Sequence, residues 1–502
     1  MMYKKYRLHP ISAVIGFLKG LKDLFPPLLI LLIANGFNFR ADAKHFWEYI
    51  PVIIFIVVII FYLISGIIEW RTFVYWFEDN ELRVEYGLIV KKKRYIPFDR
   101  IQSFNYKETI LHRLFGLVEV NVETAGTTSG KPEAVFTAIT KEAAEIIENE
   151  TKRAKTGQKP GDEPLDEAVQ SNPEEEVSQP SHVIYKMAPK DLILLATTSN
   201  SIGVVIAGVA AFFSQFADII PSDWIVEEVA AIVQFGMMFV AFLLFIAFFI
   251  AWILSVMITF VNYYDFTVVQ ENDRIIITRG LLERKRIIIP LNRVQGIKII
   301  ENPLRQLTRY ATVVVESASW GFGKNDTNIA MFPLISKKEM YEPLRRLFPQ
   351  FSLQFENGLI RPPKKSRPHF YRVYIIGLIP IIAICSYFFY PVGLLSILLP
   401  FLVFVLGLWQ YKTNGYLISG NQLTLRYRII SRLTFIAEKK RIQVIQKKQN
   451  YFQKRKNIAT VQATVMSGIG GATGKVAHLN ESDVDTILSW FERSKENKGT
   501  AE

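Results

Sequence analysis

Three stretches of the chain, residues 86–102, 279–295 and 427–443, can be laid over one another without gaps. They read YGLIVKKKRYIPFDRIQ, RGLLERKRIIIPLNRVQ and YRIISRLTFIAEKKRIQ. Gly, Leu, Pro, Arg and Gln coincide in the first two at a constant offset of 193 residues, and the third keeps Arg-Ile-Gln at a further offset of 148. The third departs at Arg428, which replaces the Gly, and at Glu438, which replaces the Pro. So long an ungapped match indicates three copies of one domain.

Each copy has the pattern of a β meander that ends in a helix. Alternating strands such as Glu81–Tyr86 and Arg274–Thr278 follow tight turns at residues 79–80, 272–273 and 420–421. A last short strand then reaches a residue that can cap a helix; these are Val135–Ile139 with Thr140, Ile329–Leu334 with Ser336, and Val476–Leu479 with Asn480. Ser336 and Glu339 have capping-box spacing. We therefore predict a small β-barrel or sandwich with a C-terminal helix.

Long apolar runs precede each copy. The chain is 50% hydrophobic with a mean hydropathy of +0.20, and a helix needs about 20 apolar residues to cross the hydrocarbon core. Six runs are candidates, in three pairs: 24–39 and 47–68, 192–213 and 229–261, 373–390 and 393–409. Pro26 and Pro27 are expected to break the first run. The sequence thus predicts an α+β membrane protein with six transmembrane helices in three hairpins, each followed by one β domain.

This alternation defines the predicted domains. An N-terminal basic segment and the first hairpin occupy 1–69, the first domain 70–154, a linker 155–182, the second hairpin 183–261, the second domain 262–350, a connector and the third hairpin 351–410, the third domain 411–494, and a tail 495–502. The linker is rich in Pro, Gly, Gln and acidic residues. We predict that it is disordered and leaves the first domain free to move relative to the others.

Charge predicts the side of the membrane on which the domains lie. The loop 216–228 carries four acidic residues and neither Lys nor Arg, whereas the whole chain has a net charge of +13. Cytoplasmic segments of membrane proteins carry the excess of basic residues. We therefore expect the domains and both termini in the cytosol, and attraction to anionic lipid explains the basic balance without nucleic acid.

The Gly-Leu pair followed by Ile-Pro-x-x-Arg-[Ile/Val]-Gln, after a membrane hairpin, resembles the second type of bacterial pleckstrin-homology-like (PH-like) domain. The layout of three domains and six helices is similar to that of the YdbT-like membrane proteins of that family. The resemblance covers nearly the whole chain apart from the linker, and it implies PH-like folds on the cytosolic face of a bacterial plasma membrane. It implies little about activity, because PH-like folds host many binding functions.

Basic residues near the repeated motif are the candidate sites for lipid or protein partners. Near the inner leaflet each charge adds about 1 kcal/mol of attraction to anionic head groups; the alternative is that they are solvated strand faces. Arg100, Arg293 and Arg441 recur with a Gln two residues on. Such an Arg can tie backbone carbonyls and Glu123 or Glu316 together as well as bind a ligand. The candidates are Lys91, Lys92, Lys93, Arg94, Arg100, Arg284, Lys285, Arg286, Arg293, Lys439, Lys440 and Arg441.

Other chemistry has little support in the sequence. The single cysteine, Cys385, lies in an apolar run, where a packing role is expected. The 6 histidines are scattered without ligand spacing, so we predict neither a metal nor another cofactor. Residues 468–475 resemble a phosphate loop but lack the Ser or Thr after Lys475. No nucleophile elbow or pair of catalytic carboxylates points to an enzyme.

These observations favour a non-enzymatic membrane scaffold. Its expected partners are membrane lipids, other PH-like-domain membrane proteins, or further copies of the chain, because strand edges invite such assembly. A role in envelope maintenance or in resistance to membrane-active agents fits this placement. The alternative is a solute transporter or channel component, since six helices with internal repetition are typical of carriers; the nearly charge-free runs argue against it.

Overall fold

The computed structural model describes residues 5–34, 50–87, 90–124, 132–156, 182–199, 237–317, 329–353, 358–388, 392–467 and 471–496. The predictions for the linker, the acidic loop 216–228 and the phosphate-loop-like residues 468–470 lie outside these ranges. The chain divides into two compact units, the first formed by residues 1–127, 132–269 and 276–288, the second by 128–131, 270–275 and 289–502.

Twelve helices occur in the described ranges, besides short 3-10 turns. They are α1 (Ile11–Ala34), α2 (Ile50–Thr72), α3 (Ile110–Leu114), α4 (Lys141–Thr156), α5 (Pro189–Thr198), α6 (Met237–Tyr263), α7 (Pro303–Thr308), α8 (Tyr341–Leu347), α9 (Arg372–Phe388), α10 (Leu398–Thr413), α11 (Tyr451–Lys454) and α12 (Glu481–Glu496).

Twenty strands are described. They are β1 (Tyr6–Arg7), β2 (Val74–Glu78), β3 (Glu81–Tyr86), β4 (Lys92–Pro97), β5 (Ile101–Glu108), β6 (Leu117–Thr124), β7 (Ala134–Thr140), β8 (His182–Lys186), β9 (Thr267–Glu271), β10 (Arg274–Arg279), β11 (Arg284–Pro290), β12 (Val294–Glu301), β13 (Tyr310–Ser317), β14 (Ile329–Ser336), β15 (Gly415–Ser419), β16 (Gln422–Arg428), β17 (Arg432–Glu438), β18 (Ile442–Lys448), β19 (Ile458–Val465) and β20 (Ala472–Asn480).

Four helical segments in the described residues are long and apolar enough to cross a membrane: 53–72, 245–263, 364–388 and 393–413. Their apolar side chains are mostly exposed on the protein surface, as expected for side chains that face lipid hydrocarbon. Of the other two predicted runs, 24–39 overlaps α1, and 192–213 is described only as far as residue 199, within which α5 ends at Thr198. The structure therefore supports four of the six predicted crossings directly.

The first hairpin differs from the prediction at its start. Helix α1 begins at Ile11, well before the predicted Leu24, and continues past the two prolines at positions 26 and 27. Its first turns pack on the domain, where Ile15 joins the buried cluster of Leu117 and Ala138. Neighbouring helices commonly stabilise a proline-containing membrane helix, and α1 packs along α2.

Small residues permit this helix pair to approach closely. A Cβ at Gly66 of α2 would lie only 2.6 Å from the carbonyl oxygen of Ala13 in α1, and one at Gly16 would lie 3.6 Å from the Cα of Gly66. Glycine at such crossings is typical of packed membrane helices.

In copies one and three, two sheets face each other across an apolar core. The core of the first copy combines Leu82 and Val84 from β3 with Val122 from β6 and Phe136 from β7, and Ile147 of α4 closes it. The core of the third copy is built alike, with Leu425, Phe435, Val461 and Val476 closed by Ile487 of α12. The predicted β domain with a C-terminal helix is thus present, and the strands of copy two are divided between the two compact units.

The repeated motif has a conformational explanation. Gly87 and Gly280 adopt φ of 100° and 109°, and a Cβ there would lie 2.3 and 2.1 Å from the carbonyl oxygens of Val90 and Glu283. Glycine is therefore required at this turn. Arg428 can replace it in copy three because β16 continues one residue further and pairs Arg428 with Arg432.

The motif's Pro and Gln mark two further features. The Pro or its replacement ends a strand and precedes a 3-10 turn, at 98–100, 291–293 and 439–441. The Gln is the residue that the strand register skips, since irregularities fall between Ile101 and Ser103 and at the matching positions 294/296 and 442/444. The repeated Gln thus occupies a β-bulge in every copy.

One predicted cap is wrong. Helix α4 follows Thr140 and α12 follows Asn480 as expected, but α8 begins only at Tyr341, so Ser336 and Glu339 form no capping box. The carbonyl of Ser336 instead accepts the N–H groups of Glu339 and Met340 in a turn. The reason is Pro343, which has no N–H and is therefore tolerated only in the first turn of a helix.

His478 gives the third copy a pH-dependent stability. Burial, and then the charges of His369 and Lys475, lower its pKa from 6.5 to about 4. The unfolded chain binds this proton below about pH 6.5, whereas the folded chain binds it only below about pH 4. The free energy of unfolding should therefore fall by up to about 3 kcal/mol as the pH decreases through that window.

We expect His478→Asn to remove this loss. Asn tolerates the φ of 60° at this position, and its oxygen can accept the hydrogen bond that Gln453 donates to Nδ1. Thermal unfolding in detergent, followed by intrinsic fluorescence between pH 4.5 and 7.5, measures the effect. His182→Asn, at an exposed position, is the control; equal acid destabilisation of wild type and His478→Asn would contradict this account.

Candidate functional site

Successive copies are joined by pairing of strand edges. In a seven-stranded sheet of order β7-β6-β5-β11-β10-β9-β8, the second sheet of copy one continues into the first sheet of copy two. In a six-stranded sheet of order β14-β13-β12-β17-β16-β15, copy two continues into copy three in the same manner. We call the β5–β11 contact the first joint and the β12–β17 contact the second joint. Each lies inside one compact unit.

The two joints have the same register. In the first joint Arg284 lies opposite Glu108, and in the second joint Arg432 lies opposite Glu301. These residues are equivalent by the repeat offsets, and the same holds for every pair of the first joint. The first joint pairs 284–286 with 106–108, whereas the second extends the pairing over 432–437 and 296–301. The joint is therefore part of the repeat itself.

Opposite charges stabilise the second joint. Glu301 is almost fully buried and contacts both Arg432 across the joint and Lys337, the latter at 2.7 Å. Arg428 donates a hydrogen bond of 2.6 Å to the side-chain oxygen of Gln306. Removing one partner of a buried ion pair leaves an uncompensated charge and typically costs about 3–5 kcal/mol, so loss of Arg432 should weaken the second joint.

A cleft of about 400 Å³ lies at the first joint. Its lining combines Glu145 and Glu148 of α4 with Arg284 and Arg286 of β11. Tyr106 donates a hydrogen bond of 2.6 Å to Glu148. Burial opposes the ionisation of Glu148, but this hydrogen bond and the charges of Lys152 and Arg286 outweigh it and lower its pKa. The carboxylate of Glu148 is thus stabilised by Tyr106 and Lys152 of its own copy and by Arg286 of the next copy.

The predicted basic residues fall into three different settings. Lys92, Lys93 and Arg94 lie on β4, at the end of the sheet order β1-β2-β3-β4, and Lys91 precedes them. The run Arg284–Arg286 is the strand segment used in the first joint. The run Lys439–Arg441 forms a 3-10 turn after β17. The structure therefore does not gather the candidates into one site.

The recurrent arginines lie at the far end of each copy. They end the 3-10 turns, which hydrogen-bond to the first hairpin turn through Phe98 to Asn80, Leu291 to Asp273 and Lys439 to Asn421. A seven-residue strand such as β17 separates these arginines by about 20 Å from the turn near the spanning helix. This distance exceeds the Debye length of about 8 Å, beyond which salt largely screens electrostatic attraction.

Contacts of these arginines favour a structural role in one case. Arg441 donates a hydrogen bond of 2.8 Å to the carbonyl oxygen of Asn292, which belongs to the equivalent turn of copy two. Glu123 accepts hydrogen bonds from Ser103 and Asn105. Glu316, matching Glu123, accepts from Lys298 and Ser467.

A short helix with exposed apolar side chains recurs in each copy and was not predicted. It is α3, α7 or α11, and Leu114, Leu307 and Phe452 there are 74%, 83% and 64% exposed. Leu114 and Leu307 are equivalent by offset, so the repeat contained a signal. Helices of four to six residues are too short for apolar periodicity to reveal.

These short helices lie beside the membrane-spanning segments. Arg113 of α3 donates to the carbonyl of Leu281 at 2.7 Å, and the N–H of Leu281 bonds to Val261 near the end of α6. In the second unit Gln306 of α7 accepts from Arg428, whose guanidinium lies over the Trp409 ring of α10 at 5.1 Å.

In copy three, His478 links the short helix α11 to the start of a spanning segment. It accepts a hydrogen bond from Gln453 of α11, and its ring contacts Phe370, just before α9, at 4.8 Å.

Within the described residues, no three His, Cys, Asp or Glu side chains are grouped so that they could hold a metal ion.

Sequence comparison agrees with the repeat seen in the fold. The family model described as "Bacterial PH domain" matches residues 25–155, 204–348 and 374–495. The chain belongs to the bacterial PH domain family. It is 34% identical over 502 residues to the UPF0699 transmembrane protein YdbT of Bacillus subtilis (strain 168), covering 99% of each chain. Together with the apolar helices, this makes the chain a membrane protein with three bacterial PH domains. No solved structure matches it.

The second joint between PH domains should depend on the absence of a side chain at one position. A Cβ at Gly296 of β12 would lie 2.8 Å from the carbonyl oxygen of Ile436 in β17. We expect Gly296→Val to cost about 1–3 kcal/mol and to speed amide hydrogen exchange in β12 and β17. Gly377→Val, where a Cβ meets nothing within 4 Å, is the matched control. Unchanged protection of β17 would show that the close approach is not needed.

Proposed function

We propose that this protein is a non-enzymatic membrane scaffold in which strand pairing joins successive PH domains within each compact unit, and whose unpaired strand edges bind protein partners. The observation that carries the proposal is the repetition of one joint, in one register, between successive copies. A surface that already pairs twice within the chain is suited to a third pairing with a partner strand.

The proposed placement is the cytosolic face of a bacterial plasma membrane, with six spans and both termini inside. Four described segments have the length and hydropathy of spans, and basic residues concentrate in the domains. Helix α6 contains no charged residue, and α10 only Lys412 in its last turn. Carriers place ionisable groups within the membrane, so these helices fit anchors better than a transport path.

The scaffold can be tested by purification from native membranes in mild detergent and mass spectrometry of co-purifying proteins. Tyr95 on β4 is 56% exposed, whereas Ile288 and Ile436, its equivalents in the joints, are 4% and 0% exposed. We expect a stoichiometric partner that Tyr95→Glu weakens at least about tenfold, because a partner strand would bury this position. Tyr95→Phe is the matched control. A chain that purifies alone would contradict the scaffold.

Lipid contact is the second part of the proposal. The short helices present exposed apolar side chains next to the ends of spanning segments, with basic residues such as Arg113, Lys454 and Arg455 beside them. Apolar side chains that enter the interface and cations that meet anionic head groups are the usual means of peripheral attachment. The more distant Arg100, Arg293 and Lys440 would not share this contact.

A spin label can test the lipid contact. In a Cys385→Ala background, a nitroxide on Leu307→Cys in anionic nanodiscs should collide more with oxygen than with a water-soluble nickel chelate. The control label is Lys440→Cys, on a side chain 68% exposed in the 3-10 turn, which should show the reverse. Equal access of the nickel chelate to both labels would refute the contact.

A role in envelope maintenance or in resistance to membrane-active agents would follow from this placement. Deletion of the protein should then increase sensitivity to such agents, and unchanged sensitivity would count against the role.

A further inference from the structure

In each internal joint, the last strand of the first sheet of one copy pairs with the first strand of the second sheet of the preceding copy. We call the former the incoming strand and the latter the receiving strand. The incoming strands are β11 and β17, and the receiving strands are β5 and β12. By the repeat offsets, the remaining incoming strand is β4 of copy one and the remaining receiving strand is β18 of copy three. Among the described residues, β4 ends its four-stranded sheet and β18 ends its three-stranded sheet. The chain therefore carries both halves of one further joint.

We propose that β4 of a second copy of this chain pairs with β18 of the first, in the register of the two internal joints. Both internal joints predict the same alignment, in which Lys91 lies opposite Gln449, Lys92 opposite Lys448 and Lys93 opposite Lys447. The proposal rests on the proposed scaffold function and names its partner as a second copy.

The exposed side chains of both edges fit a missing strand. Tyr95 is exposed where its two equivalents are buried, and on the receiving side Val444 is 44% exposed. Val444 stands where Gly296 permits the long second joint, so the joint between copies should have the shorter extent of the first joint. That extent covers Lys91, Lys92 and Lys93.

The receiving edge offers carboxylates in the place where the first joint has them. Asp485 is the fifth residue of α12, as Glu145 of the cleft is of α4. Lys447 of β18 contacts Asp485 at 2.7 Å and Glu481 at 2.9 Å. Lys93 of the incoming strand, which is equivalent to Arg286, would thus lie next to the carboxylates of Asp485 and Glu481, both of which contact Lys447.

Two pairs in this joint are like-charged. Lys93 opposite Lys447 has the carboxylates of Asp485 and Glu481 beside it, so Lys92 opposite Lys448 is the pair that a charge substitution can adjust. The first joint also has a like-charged pair, Lys285 opposite Lys107, but Glu283 contacts both at 3.5 and 3.0 Å. Between copies the pair would be Lys92 opposite Lys448, and Val90 stands where Glu283 does. Like charges directly opposite destabilise a strand pair. The contact between copies should therefore be weaker than the internal joints and sensitive to charge at these two positions.

Such a contact is heterologous, because the two copies use different surfaces. Repeating it yields a ring if the rotation closes and an open row if it does not.

Disulfide trapping tests the contact and its register. Two differently tagged full-length chains, both with Cys385→Ala, are co-expressed; one carries Lys91→Cys and the other Gln449→Cys, and membranes are treated with a mild oxidant. We expect a disulfide-linked pair containing both tags. Lys440→Cys replaces Gln449→Cys in the control, because Lys440 lies just before the start of β18 whereas Gln449 lies just after its end, and it should give no linked pair.

A charge cycle provides the second measurement. Lys448→Glu alone or Lys92→Glu alone should tighten self-association about tenfold in detergent, since each turns a repulsive pair into an attractive one. The double variant Lys92→Glu/Lys448→Glu restores like charges and should return to the wild-type value. Lys440→Glu, an equal charge change outside the joint, should have no such effect.

The outcomes separate this inference from the scaffold itself. Absence of a linked pair together with no response to Lys448→Glu overturns pairing between copies. If Lys91→Cys instead links to a different protein, the inference fails while the scaffold stands. If the chain also purifies without any protein partner, both fail.

Discussion

Antiparallel pairing between the last sheet of one copy and the first sheet of the next is the interaction on which this structure depends. It satisfies backbone groups that a separate domain would leave on open edges, and it fixes the order in which the copies follow one another. Side chains also connect the copies, because the ion partners of the buried Glu301 come from both sides of the second joint. Within each compact unit, strands of successive PH domains are therefore parts of one continuous sheet.

The sequence was sufficient for the repeat, the strands and the family, but not for the joints. The glycines at positions 87 and 280 could be recognised because the turn demands them in copies one and two, and the Gln because it recurs at the bulge of every copy. Strand edges leave no such mark, since alternation of side chains is the same whichever strand pairs alongside. The pairing of β5 with β11 is an example, because nothing in the composition of either strand indicated it.

The candidate binding residues were predicted as one class, and the fold separates them. Basic residues attract attention by composition, yet Arg284 and Arg286 belong to an internal joint, Arg441 bonds a neighbouring turn, and Lys92 and Lys93 occupy an outer edge. The apolar short helices near the spanning segments carry few charges and were overlooked. Position along the strand, which composition does not encode, decides what each residue can touch.

The first joint also has a consequence for synthesis of the chain. Tyr106 pairs opposite Arg286, about 180 residues later, and the candidate membrane span 245–263 lies between them. At the ribosome, β5 therefore emerges long before β11, and its pairing must wait until the segment between them has been synthesised. Such non-local pairing is slow, and until it forms the unpaired strand edge is exposed and prone to aggregation. Charged side chains such as Lys107 and Glu108 protect an open strand edge from pairing with a wrong strand.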